Sequence, residues 1–232
     1  MSQTLRRIVL VTSTFIAVLS FGGNADANPI VVGGSSSHNC FPFSCAYLGI
    51  SEYQQVYSST AFGQAVSIDQ MTFFELAGSG LSLEAGTFTF SLSYTSKAVN
   101  ALSTLPSDNV GAGSTTVFNG SLPGLVSGEL VIPFSAPFIY DPSLGNLLLT
   151  VDASGTSGGS GYLTADYSGA VTSRAYVSST YGNVADPAGL TTEFAATAVP
   201  EPATLPLVLS GMLCLGFFQW RRKRTAAARA GR

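Results

Sequence analysis

Few residues in this 232-residue chain are of types that could do chemistry. His38, Cys40 and Cys45 lie together in the segment HNCFPFSC. In an oxidising compartment, two nearby cysteines usually form a disulfide. A metal site is the alternative, but structural zinc uses four ligands and these three residues have no credible fourth. We therefore predict a Cys40–Cys45 disulfide, no metal site and no cofactor.

A possible nucleophile lies in Gly155-Thr156-Ser157-Gly158-Gly159, which matches the G-x-S-x-G pattern of serine hydrolases. That pattern needs a helix after the serine and a histidine further along the chain, whereas the single histidine, His38, lies upstream. Residues 158–161 also match part of the calcium-binding repeat G-G-x-G-x-D, but Leu163 occupies the position of the aspartate. We interpret the first match as chance and the second segment as a flexible hairpin loop.

The other polar side chains form no catalytic set. Acidic residues stand singly, without the D-x-D-x-D spacing of a calcium loop, and no pair is singled out for glycoside hydrolysis. Tyrosines could form a sugar-stacking face, although tyrosine is also a common and often partly buried strand residue. Those considered are Tyr47, Tyr53, Tyr57, Tyr94, Tyr162, Tyr167, Tyr176 and Tyr181. The prediction is that the protein is not an enzyme, with calcium binding and sugar binding left as alternatives.

Charge is distributed unevenly along the chain. Charged residues make up 10% of it, against about 25% in an average globular protein. Residues 28–198 contain eleven acidic residues but only two basic ones, Lys97 and Arg174, while the other basic residues lie near the two ends. Because nucleic-acid affinity depends on cations that neutralise phosphates, the acidic middle excludes nucleic-acid binding.

The N-terminal segment has the parts of a secretory signal peptide. Arg6 and Arg7 precede a largely apolar run, residues 8–21, and Ala25-Asp26-Ala27 supplies an A-x-A exit. We predict that residues 1–27 form a signal-peptide helix, recognised by the secretion translocon and cleaved after Ala27. An uncleaved anchor is the alternative.

The C-terminal segment is typical of a membrane anchor. Residues 203–220 carry no formal charge and, as a helix, would be about 27 Å long, close to the roughly 30 Å of a hydrocarbon core. A basic stop cluster follows, formed by Arg221, Arg222, Lys223 and Arg224. Since Lys and Arg gather on the cytoplasmic side, we predict a single transmembrane helix with residues 225–232 as a cytoplasmic tail. A buried core helix is the alternative.

Pro200, Glu201 and Pro202 immediately precede this run. Prolines donate no backbone hydrogen bond and disfavour helix in the preceding residue, so we expect an extended strip that a protease can bind. Residues 199–224 resemble the PEP-CTERM sorting signal of Gram-negative bacteria. The resemblance implies an inner-membrane anchored precursor, processed by an exosortase, a relative of cysteine proteases embedded in the membrane, on its way to the cell surface or outside the cell.

Between the two signals, residues 28–198 have the pattern of an all-β domain. In GTFTFSLSYTS, Phe88, Phe90, Leu92 and Tyr94 alternate with Thr and Ser, as in a strand with one buried face. Similar runs bounded by turn residues are MTFFEL (71–76), STTVF (114–118), ELVIPF (129–134), NLLLTVD (146–152), YLTADYS (162–168) and RAYVSS (174–179). The prediction is an antiparallel β-sandwich or jelly roll, with TTEF as a final strand and AATA (195–198) as a short tether.

The sequence thus predicts an exported, non-enzymatic surface or extracellular-matrix protein. Its β domain is expected to be a structural or adhesive module. The alternatives are a lectin-like module that binds exopolysaccharide and a secreted hydrolase that would join two carboxylates from different strands.

Overall fold

The computed structural model describes residues 29–35, 37–199 and Met212. Within these residues the chain forms thirteen strands. Four short 3-10 helices connect some of them, at Ala46–Leu48, Ser59–Ala61, Pro106–Asp108 and Pro142–Leu144, and residues 37–199 contain no α-helix. The strands are β1 (Ile30–Val32), β2 (Ser37–Asn39), β3 (Ile50–Tyr57), β4 (Val66–Phe74), β5 (Ser82–Thr95), β6 (Thr115–Gly120), β7 (Glu129–Tyr140), β8 (Asn146–Ser160), β9 (Leu163–Asp166), β10 (Thr172–Ser178), β11 (Gly182–Asp186), β12 (Gly189–Leu190) and β13 (Thr192–Ala198).

All strand pairs are antiparallel, which confirms the predicted all-β class. One sheet has the order β1-β13-β4-β7, a second has the order β11-β10-β3-β8-β5-β6, and a small third sheet has the order β12-β9-β2. The two larger sheets share one core. Across it, the Tyr57 ring of β3 lies 5.0 Å from the Phe194 ring of β13, and the Tyr94 ring of β5 lies 5.5 Å from the Tyr140 ring of β7. This arrangement is consistent with the predicted sandwich.

A disulfide-closed turn fills part of this core. Cys40 and Cys45 are joined in a disulfide, with their Cα atoms 5.5 Å apart. The turn between them inserts the fully buried Phe43, whose ring centroid lies 5.3 Å from that of Phe73 and 5.6 Å from that of Phe90. The Cys45 amide donates a 2.7 Å hydrogen bond to the buried Glu84 carboxylate, and burial raises the pKa of Glu84. The disulfide therefore holds the Phe43 ring in place between the two larger sheets.

The last strand corrects one sequence prediction. Residues 195–198, AATA, are not a tether but continue β13, where Ala196 pairs with Ile68 and Ala198 with Val66 of β4. The small side chains hid the strand from pattern reading, yet Ala196 is buried against the core, and Val199 adds a 3.0 Å hydrogen bond from its amide to the Ala65 carbonyl. The folded domain consequently continues up to the residue before Pro200.

One edge of the four-stranded sheet is formed by β7. This strand alternates between buried side chains such as Ile132 and exposed ones such as Val131, so one of its faces is wet. Pro133 and Pro137 lie within it, and neither has an amide hydrogen to donate. The edge strand is therefore interrupted as a hydrogen-bonding template.

The predicted membrane segments are not part of the described fold. Residues 1–27 lie outside the described residues, as does the run 203–220 apart from Met212. Within the described part of the chain, no helix combines the length and apolar character needed to cross a bilayer. Both segments stay predictions, as do the domain boundaries based on them.

Candidate functional site

The tyrosines considered as a sugar-stacking face separate into buried and exposed groups. Tyr53 and Tyr57 are fully buried in the core, so their rings cannot stack on a ligand. Tyr176 is nearly fully buried. The exposed fractions of Tyr162 and Tyr167 are 44% each, that of Tyr181 is 58%, and that of Tyr47 is 79%. Three of these exposed rings, those of Tyr162, Tyr167 and Tyr181, line one surface groove of about 280 Å³. We call it the tyrosine groove; its other walls include His38, Arg174 and Tyr176.

Two sheets meet at the tyrosine groove. His38 is the middle residue of β2, which pairs with β9, and Tyr162 and Tyr167 flank β9 on either side. Tyr176 belongs to β10 of the six-stranded sheet, and Tyr181 lies in the turn that connects β10 to β11. The groove is therefore built from segments distant in sequence, each held within or next to a strand.

Ring contacts and a hydrogen bond fix the walls. The His38 and Tyr162 rings pack edge to face, with centroids 4.6 Å apart. The Tyr167 hydroxyl accepts a 3.0 Å hydrogen bond from the side-chain amide of Asn39. Rings held in this way lose little rotamer freedom when a ligand binds, which favours affinity.

One residue of the groove, Arg174, is held in an ion pair with Asp186, which does not itself line the groove. Arg174 is 5% exposed and binds the Asp186 carboxylate through Nε and an Nη atom, each at 2.9 Å. Its guanidinium carbon also lies 4.8 Å from the Phe41 ring centroid and 5.1 Å from that of Tyr176. Burial acts to lower the pKa of Arg174, but the hydrogen bonds that Arg174 donates to Asp186, together with nearby charges, outweigh it and raise the pKa above its ordinary value. The charge of Arg174, next to the aromatic rings of the groove, is thus neutralised by a fixed partner.

Two carboxylates that sequence reasoning did not single out lie elsewhere. Glu52 of β3 is paired directly with Asp152 of β8. Burial raises the pKa of both groups, and the nearby charge of Asp152 raises that of Glu52 further. Neither residue lines the tyrosine groove. The sequence alone does not reveal this pair, because the two residues are brought together only by the register of β3 with β8.

The pentapeptide with Ser157 lies inside β8, which is paired with β5. Ser157 pairs with Ala85 and Gly158 with Glu84, so the segment is neither a strand-to-helix turn nor, as the sequence suggested for residues 158–161, a flexible hairpin loop. The prediction failed because glycine and serine are read as loop formers, whereas here a 14-residue partner strand supplies the hydrogen bonds.

The candidate metal ligands are not brought together. Cys40 and Cys45 are bound to each other, and His38 packs against Tyr162. Among residues 29–35 and 37–199, no group of three or more His, Cys, Asp or Glu side chains is arranged to hold a metal ion.

The remaining predicted site residues lie outside the described part of the chain. They are Ala25 and Ala27 of the signal cleavage site, Pro200, Glu201 and Pro202 of the sorting motif, and Arg221, Arg222, Lys223 and Arg224 of the basic cluster. Val199, the last described residue before the motif, is hydrogen-bonded to Ala65. The motif therefore begins directly at the end of a sheet.

Comparison with known proteins identifies the C-terminal segment. A family model described as the PEP-CTERM protein-sorting motif matches residues 198–223, which confirms the resemblance of this segment. No curated protein and no solved structure matches the chain. The match covers the sorting segment and not the β domain.

Proposed function

We propose that this chain is a surface or extracellular-matrix protein, exported as an inner-membrane anchored precursor and processed by an exosortase. The match of residues 198–223 to the PEP-CTERM motif carries the proposal, because that motif implies export and exosortase-dependent sorting. The Cys40–Cys45 disulfide supports the same route, since disulfides persist in oxidising compartments such as the periplasm and the cell exterior.

In this proposal the β domain is a non-enzymatic structural or adhesive module, built as a sandwich. Its shared aromatic core and its central strand β13 support a rigid unit that continues to the sorting motif. A rigid unit without slack presents its binding surfaces at a defined orientation after sorting.

Replacing both Pro200 and Pro202 by alanine is expected to abolish processing, because the strip would then be free to continue the following helix. In a host with an active exosortase, mass spectrometry of the mature C-terminus should find wild-type protein without residues 203–232. The double variant should accumulate as full-length membrane protein.

The matched control for this test is Pro123→Ala, which changes an exposed loop proline of the domain. It should be processed like the wild type. Recovery of wild-type protein with residues 203–232 intact, or normal processing of the double variant, would contradict the proposed sorting route.

A second candidate function is binding of a neutral polysaccharide in the tyrosine groove. The observation that favours it is the set of three exposed tyrosines that line one groove. Residues 28–198 carry eleven acidic and two basic residues, so like-charge repulsion disfavours an anionic polymer. An uncharged exopolysaccharide is therefore the ligand class that fits.

Tyr181→Ala is expected to weaken glycan binding about twofold to twelvefold, since one aromatic contact contributes about 0.5–1.5 kcal/mol. The ligand would first be found on a glycan array with the secreted protein, and affinities would then be measured by titration calorimetry. Tyr47→Ala is the control, because Tyr47 is more exposed than Tyr181 and does not line the groove. Equal losses in both variants, or no binding with or without Ca²⁺, would exclude this function.

A further inference from the structure

The chain leaves the β domain at one end of the two sheets. Here β13 ends at Ala198, opposite the start of β4 at Val66, which in turn is opposite the end of β7 at Tyr140. Two turns, residues 58–65 and 141–145, cover this end, and the Phe62 ring lies 4.8 Å from the Tyr140 ring beneath them. We call these two turns, with the end of β7, the exit end.

No flexible linker separates the exit end from the sorting segment. The Val199 amide is bonded to the Ala65 carbonyl, so the chain is fixed to the sheet up to residue 199. From residue 199 to residue 203 the chain can reach at most about 14 Å even when fully extended. If the run from residue 203 enters a bilayer, the exit end must therefore lie within that distance of the point of entry.

The surface chemistry of the exit end suits a lipid interface. Leu144 is 67% exposed and Ile139 is 55% exposed. The two turns contain a single charged residue, Asp141, whose carboxylate accepts the Ser143 amide at 2.9 Å. Lys97, one of the domain's two cations, is adjacent, since its carbonyl accepts a hydrogen bond from the Asn146 side chain. Exposed apolar side chains among few charged residues can insert at the headgroup level of a bilayer.

We propose that the exit end rests on the lipid surface of the membrane that holds the precursor, with Ile139 and Leu144 inserted at the headgroup level. This inference rests on the proposed function, because it requires the run from residue 203 to be in the bilayer. The long axis of the strands then stands away from the membrane, and the tyrosine groove is presented to the outside while the precursor is anchored.

The test uses the full-length precursor in vesicles of phosphatidylcholine and phosphatidylglycerol, without any exosortase. A Cys214→Ala background leaves no free thiol, because Cys40 and Cys45 are paired. Ser143→Cys places a fluorophore at the exit end, and Ser127→Cys places one just before the start of β7, about 35–40 Å away along the strand. Both serines are exposed.

Nitroxide-labelled headgroups should quench the label at position 143 strongly and leave the label at position 127 unquenched. In the Ser143→Cys protein, Leu144→Glu together with Ile139→Glu should reduce the quenching, and so should a flexible Gly/Ser spacer between Val199 and Pro200. Equal quenching at both positions would overturn the inference. So would quenching at position 143 that is unaffected by either change.

Two further outcomes separate this inference from the proposed function. If the precursor does not float with the vesicles, the anchor itself is absent and both proposals fail. If it floats but the label at position 143 stays unquenched, the exit end does not contact the lipid, which refutes the lipid proposal and leaves the sorting route intact.

Discussion

Replacing Phe194 with alanine is expected to lower the free energy of unfolding by about 3–5 kcal/mol. Phe194 is fully buried, and its ring lies 5.0 Å from that of Tyr57 and 5.6 Å from that of Phe62. Because β13 lies between β1 and β4, neighbouring strands cannot close the cavity without breaking their own pairing. A domain of this size is typically stable by about 5–15 kcal/mol, so the variant should be close to unfolding. Urea denaturation of the secreted protein measures the loss.

The control lies one residue away on the same strand. The Glu193 side chain points to the opposite face and is half-buried, with Val31 and Thr72 as its strand partners. Glu193→Ala should change the free energy of unfolding by about 0.5 kcal/mol or less. A loss below about 1 kcal/mol for Phe194→Ala would mean that β13 is not an integral part of the core.

The second large effect concerns the ion pair between Arg174, a residue of the tyrosine groove, and Asp186. Asp186→Asn is expected to cost about 2–4 kcal/mol, because it leaves the buried Arg174 guanidinium without its counter-charge. The estimate is below that for a fully buried pair, since the Asp186 side chain is 27% exposed. Asparagine is chosen because its oxygen can still accept the Ala188 amide, which binds the Asp186 carboxylate at 2.9 Å.

A double-mutant cycle isolates the pair. Arg174→Met removes the charge but keeps an apolar side chain between Phe41 and Tyr176. Arg174→Met combined with Asp186→Asn should therefore cost less than the sum of the two single changes, as measured by denaturation. Strict additivity would show that the two side chains do not stabilise each other.

Local pattern was sufficient where one face of a strand is buried and the other is wet. The alternation of Phe88 and Phe90 with threonine and serine predicted β5 correctly. It was insufficient for β3, whose Gln54 and Gln55 are both fully buried. Their amides are satisfied by distant partners, Asn109 and the Leu190 backbone. No local signal reveals that a polar strand will be central when its partners lie so far along the chain.

The candidate site divides in the same way. The sorting motif is a contiguous string, so its residues could be named from the sequence, and the family match covers them. The tyrosines could be named but not sorted, because the pairing of β2 with β9 decides that Tyr162 is near His38. No sequence pattern distinguishes Tyr53 from Tyr162. In the structure, Tyr53 is a buried core residue and Tyr162 lines the groove.

The prolines of β7 affect how copies of the protein interact when they are crowded on one surface. Proteins delivered to one surface accumulate side by side. An uninterrupted edge strand would let neighbouring copies pair strand to strand and form fibrils. Pro133 and Pro137 deny an incoming strand two of the hydrogen bonds it would need. Crowded copies should consequently be less prone to pair through this edge of the four-stranded sheet.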